Sequence, residues 1–80
     1  MIKPIFGNTL KILRKKTGKT LEQVAEEVGI NIRYLQKLEA GDQTPHYLNL
    51  FKLAESLNTT PDQIIGEIYK QWVEAGRPEE

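Results

Sequence analysis

The sequence predicts an all-α fold, a compact five-helix domain, on three observations. Apolar residues recur three and four positions apart along most of the 80-residue chain, which is the spacing of a buried helix face. Threonine or asparagine stands before these stripes and glycine follows several of them, the residue types that cap helix starts and ends. No stretch carries a convincing period-two strand pattern.

Residues 1–4 read as a loose arm, because Pro4 does not fit a helix interior and Lys3 adds no periodic signal. From about Phe6 the stripe Phe6, Leu10, Leu13 defines a first helix that stops near Gly18, with Ile12 beside the stripe and partly exposed. A second helix starts at Thr20, which has capping-box spacing to Gln23, and runs to Val28 on the stripe Leu21, Val24, Ala25, Val28. Gly29 then turns the chain, since glycine takes the left-handed conformation without a Cβ penalty. A third helix begins at about Asn31, a good N-cap, and reaches about Ala40 before Gly41 ends it, with Leu35 and Leu38 pointing inward. Thr44 as cap and Pro45 as first helical residue open a fourth helix with the apolar set Tyr47, Leu50, Leu53, Ala54, Leu57. Thr60, Pro61 and Gln63 repeat the device for a fifth helix, ahead of Ile64 and Ile65.

A chain of this length holds one small core, roughly 60% of its unfolded surface, and no elaborate catalytic cleft. Residues 1–80 are therefore expected to form a single domain, with a core over about 6–66 and a C-terminal extension over 67–80 that can lengthen the last helix. Cysteine is absent, which removes disulfides and thiolate metal sites, and no apolar run approaches a membrane span. A cytoplasmic protein with no membrane partner is expected. His46, alone of its kind, follows a proline at a helix start and is expected in solvent, so no metal and no cofactor are expected. No serine, histidine and acid combination suggests a hydrolase and no glycine-rich phosphate loop is present, so an enzyme is not expected. Net charge is zero, yet residues 1–41 hold eight basic and four acidic groups, a balance of +4, and residues 42–80 hold three and seven, a balance of −4. One basic half can meet a polyanion on its own.

Four motifs now stand together in the chain. They are L-x-x-L-R (Leu10, Leu13, Arg14), T-x-x-x-V-A followed by glycine (Thr20, Val24, Ala25, Gly29), Y-L-x-x-L-E-x-G (Tyr34, Leu35, Leu38, Glu39, Gly41) and P-x-x-x-x-L-x-x-L-A-x-x-L (Pro45, Leu50, Leu53, Ala54, Leu57). In this combination the chain resembles the lambda repressor-like, or Cro/xenobiotic-response-element type, helix-turn-helix DNA-binding family, with helices 2 and 3 as the motif. The resemblance implies sequence-specific binding of double-stranded DNA by a small bacterial or phage transcriptional regulator or repressor. A recognition helix at about 31–40 would enter the major groove, in a homodimer on a pseudo-palindromic operator. Phage repressor, restriction-modification controller and antitoxin all remain open. The competing reading is a protein-interaction module or antitoxin-like protein that keeps the fold, motivated by zero net charge and by Leu21, which stands where the family often has a phosphate-anchoring glutamine.

The expected base contacts are Ile32, Arg33, Gln36 and Lys37, outward on the third helix. Arg33 leads, because its planar fork donates two bonds to guanine. Arg33 and Lys37 are also like charges at i, i+4, an unhelpful pair unless an anion sits there. The expected phosphate contacts are Lys16, Lys19, Thr20, Asn31 and Tyr34, although Asn31 can equally be only a cap, and for Tyr34 packing against the second helix is the leading alternative. Glu22, Glu26 and Glu27 are expected to face away from DNA. The resemblance pairs Arg14 with Glu39 in a partly buried salt bridge. In the extension Ile65, Ile68, Tyr69, Trp72 and Val73 form an apolar band, so either Trp72 folds back on its own domain or the tail pairs with a partner. Leu48, Ile68, Tyr69 and Trp72 are the dimer candidates, and the tail is also the candidate surface for another protein partner.

Overall fold

A computed structural model describes residues 2–79 as five helices: α1 (Ile2–Thr17), α2 (Leu21–Val28), α3 (Ile32–Ala40), α4 (Tyr47–Ser56) and α5 (Pro61–Glu74). The all-α expectation holds, and α5 does run on into the extension. The expected arm is corrected: residues 2–4 are helical, while Met1 lies outside the described residues, as does Glu80 at the end of the extension. Pro4 is tolerated because it occupies the first turn, where backbone N–H groups have no intrahelical acceptor to lose. Ile2, Ile5 and Phe6 then pack against the core.

The α2–α3 corner follows from its punctuation. Thr20 accepts from the Gln23 backbone and Gln23 returns the bond to the Thr20 N–H, at 3.1 and 2.8 Å. Gly29 ends α2 in the left-handed region, and Asn31 caps α3 by accepting from the Arg33 N–H at 2.7 Å. Two later starts differ from expectation. The cap of α4 is His46, whose Nδ1 accepts from the Leu48 N–H, so Thr44 and Pro45 belong to the loop and helix begins at Tyr47. Pro61 does open α5, but the Thr60 side chain makes no cap bond, and Gln63 instead accepts from the Thr59 hydroxyl at 2.7 Å.

Leu10, Val24, Ala25, Val28, Leu35, Leu38, Leu50, Leu53, Ala54, Leu57, Ile64 and Ile68 make one core. Tyr47, placed in the α4 stripe by spacing, is 65% exposed, and the buried face of α4 starts one turn later at Leu50. Helix α1 packs on α3 and α5, α2 on α3 and α4, and α4 on α5. The α1–α3 crossing is close enough to involve backbone. A Cβ on Gly7 would stand 2.5 Å from the carbonyl oxygens of Leu38 and Glu39, and one on Gly41 would stand 2.7 Å from Pro4 Cα. Glycine at both positions lets the end of α3 seat directly against α1, and Gly41 also supplies the φ of 82° that terminates α3.

Candidate nucleic-acid interface

Helix α3 has two faces because Leu35 and Leu38 are buried three positions apart, leaving Arg33, Gln36 and Lys37 exposed between and beside them. Ile32 differs from its outward expectation in part: it is half-buried and packs against the core. A shallow cleft of about 330 Å³ runs along the exposed face, lined by Arg33, Gln36, Lys37, Ala40 and Asp42. Among the described residues no hydrogen bond or ion pair engages the side chains of Arg33, Gln36 or Lys37. Their donors are free for a ligand.

Behind this face Arg14 and Glu39 meet. Arg14 Nε donates to Glu39 Oε2 at 2.7 Å and Nη2 to Oε1 at 3.0 Å, while Nη1 donates to the Lys19 carbonyl at 3.0 Å. The hydrogen bond to Glu39 holds the guanidinium above its ordinary value, against the opposing effect of burial, with smaller help from the charges of Glu39 and Glu22. The fork fixes α1, the turn before α2 and the last turn of α3 relative to one another.

A second cleft, of about 270 Å³, opens on the other flank of α3 between Lys11, Arg14, Leu21, Gln36, Glu39 and Ala40. Since Arg14 and Glu39 neutralise each other, Lys11 is its free charge. The side chains expected at phosphates lie in different places around this frame. Lys16 lines a different cavity, between α1 and α5, with Thr9, Gln63 and Glu67 among its walls. Two residues on from Arg14 along a helix is more than half a turn, so Lys16 points away from the α3 flank, whereas Lys11, three residues before Arg14, points toward it. Lys19 is also committed elsewhere: Nζ donates to Glu27 Oε1 at 2.8 Å and to the Ser56 carbonyl at 2.6 Å, tying the turn before α2 to α4. Lys11 was not among the expected contacts, although its spacing to Arg14 already put the two on one side of α1.

The polar groups at the helix starts keep usable donors. Thr20 Oγ1 and Asn31 Oδ1 accept cap bonds, which leaves the hydroxyl proton and the amide NH2. Tyr34 is half-buried, packs against the core and accepts at its hydroxyl from Asn49 Nδ2 at 3.5 Å. Glu27 faces α4, where Lys19 first and then the Ser56 hydroxyl, at 2.7 Å, hold its carboxyl below the usual range. Glu26 is exposed, and Glu22 is near enough to Arg14 to act on its charge.

Of the dimer candidates, Ile68 is 3% exposed and belongs to the core. Leu48 and Tyr69 are 48% and 58% exposed, and Ile65 joins them at 43%. Trp72 is half-buried, and its Nε1 donates to the Pro78 carbonyl at 2.8 Å, so the tail turns back over it. An apolar furrow between α1 and α5 is walled by Ile2, Phe6, Ile65, Ile68, Tyr69 and Trp72. No helix among the described residues is long and apolar enough to cross a membrane.

Comparison with known proteins gives a concordant result. A family model described as helix-turn-helix matches residues 10–64. Over 53 residues the chain is 38% identical to the cryptic phage CTXphi transcriptional repressor RstR of Vibrio cholerae, covering 66% of this chain and 47% of that protein. The chain thus spans about half the length of that relative. It is 28% identical over 64 residues to the uncharacterized HTH-type transcriptional regulator y4dJ of Sinorhizobium fredii, covering 80% and 83% of the two chains. Among solved structures, the restriction-modification controller protein C.AhdI of Aeromonas hydrophila superposes with a TM-score of 0.73 at 30% identity, over 76% of this chain and 92% of that one. The clp gene regulator ClgR of Corynebacterium glutamicum reaches a TM-score of 0.86 at 21% identity, over 96% and 82%, a likeness of fold.

Proposed function

This chain belongs to the lambda repressor-like helix-turn-helix family of transcriptional regulators, and we propose that it binds double-stranded DNA in a sequence-specific way with α3 in the major groove. The observation that carries this reading is the outer face of α3, where Arg33, Gln36 and Lys37 are exposed and unpaired on a helix whose orientation the Arg14–Glu39 fork fixes. Arg33 donates to guanine O6 and N7, and Gln36 and Lys37 reach neighbouring base edges. Ile32, half-buried, offers at most apolar contact to a thymine methyl. Lys11 in the flanking cleft, the Thr20 hydroxyl with the free N–H groups at the start of α2, and the Asn31 amide bind phosphates on either side. Lys16 and Lys19 are left out of the contact set.

The active species in this proposal is a homodimer on a pseudo-palindromic operator. Support comes from the exposed Ile65 and Tyr69 beside the apolar furrow on α5, with Leu48 as a further exposed apolar group. The same surface supports a second reading, in which the tail and α5 take another protein, as in an antitoxin. Repression is the regulatory role that the phage relative's name favours.

Selection of bound sequences from a random duplex library tests binding, palindromy and half-site spacing at once. The expected motif has two halves about 34–36 Å apart, one helical turn of DNA. Absence of salt-dependent binding to any duplex would replace the DNA reading with the protein-interaction one. Sedimentation of Tyr69→Glu, expected to be monomeric where the wild type is dimeric, tests the α5 surface separately.

A further inference from the structure

The cleft along α3 contains an acid that the DNA-binding reading leaves without a role. Asp42 follows Gly41 and lines that cleft with Arg33, Gln36 and Lys37. Its position is set by backbone. The Asp42 N–H donates to the Lys37 carbonyl at 2.9 Å, and the Gly41 N–H to that of Leu38 at 3.2 Å. Gly41 in turn is wedged against the backbone of Pro4, where even a methyl group would meet Cα at 2.7 Å. Among the described residues no hydrogen bond or ion pair engages the exposed Asp42 carboxylate. The Asp42 backbone is anchored while its carboxylate stays exposed, on the surface expected to meet a polyanion.

A carboxylate there acts differently on the two things a duplex presents. Toward phosphates it is repulsive, and binding to an arbitrary sequence consists almost entirely of phosphate attraction. Toward base edges it is an acceptor that matches the N4 amino group of cytosine, the pairing that acidic side chains make in the major groove.

We infer that Asp42 is a specificity-determining residue, which depresses affinity for arbitrary duplexes and recovers that loss by accepting a hydrogen bond from a cytosine at one position of each half-site. The inference rests on the DNA-binding reading of α3. The test compares wild type and Asp42→Asn on the library-selected operator and on a scrambled duplex across a salt series, with the library selection repeated on the variant. Removing one repelling charge steepens the salt slope for the scrambled duplex by up to about 0.9, which at 0.1 M salt tightens binding about three- to tenfold. The operator gains less, so the specificity ratio falls at least about threefold, and the variant's motif loses one cytosine per half-site. An equal gain on both duplexes would reduce Asp42 to general electrostatics and overturn the inference, and so would no change on either. A wild type that binds no duplex would instead remove the DNA reading itself. Unchanged thermal stability of Asp42→Asn confirms that only the surface charge was altered.

Discussion

Replacing Glu39 by alanine should lower the melting temperature by at least about 12 °C. The pair it breaks is mostly withdrawn from water, with the Arg14 and Glu39 side chains 12% and 8% exposed. Two of the three guanidinium bonds end on Glu39, and the Lys19 carbonyl is the acceptor that remains. The variant therefore strands a buried cation, and breaking such a pair from one side costs about 3–5 kcal/mol. For a domain of this size each kcal/mol shifts the midpoint by about 4–8 °C, which gives the stated drop from the lower bound alone. The assay is thermal unfolding followed by far-ultraviolet circular dichroism at fixed protein concentration. Melting within about 2 °C of the wild type would refute the argument that this pair ties α1 to α3. Replacing both partners, Arg14→Met with Glu39→Leu, removes the stranded charge, and this double variant should regain most of the loss.

Gly7→Ala should destabilise by about 1–3 kcal/mol, read from urea unfolding, because the new methyl meets two backbone carbonyls that cannot rotate away. Glu27 titrates below its ordinary value in the folded protein, so its contribution is present above the unfolded glutamate value of about 4.3 and is lost as pH falls through the lower folded one. The stability difference between wild type and Glu27→Gln, measured against pH, should be flat above about pH 5 and shrink below about pH 4. Arg33→Ala should cost about 1–3 kcal/mol on the selected operator and relax preference at one base pair, measured by fluorescence anisotropy. Lys11→Ala should weaken all duplexes alike and lower the salt slope by about 1, whereas Lys16→Ala should leave the slope unchanged.

The α2–α3 corner was legible because its determinants are local: Thr20 with Gln23, Gly29, and Asn31 act within a few residues of themselves. The start of α1 was not, because proline opposes a helix interior but not a first turn, and periodicity alone does not tell the two apart. Thr-Pro occurs before both α4 and α5, yet it opens a helix only at Thr60-Pro61; after Gly41 the loop runs two residues further, and His46 does the capping. Lys19 reads as an available cation in any local window, and only the fold brings the Ser56 carbonyl, 37 residues away, to its ammonium. Lys11 and Asp42 gain meaning in the same way, since a cleft is a property of helices placed side by side.

The seating of Gly7 and Gly41 against backbone has a consequence for how an operator can be measured. With backbone seated against backbone at Gly7 and Gly41, and the Arg14–Glu39 fork beside them, α3 has little room to tilt against α1. In a dimer of such units, any mismatch between protein spacing and half-site spacing must be taken up by the duplex, through bending or altered twist. For the proposed dimer, the stiffness of the central base pairs, which no side chain need touch, would then enter the affinity, making it a gauge of DNA mechanics as well as a reader of its letters.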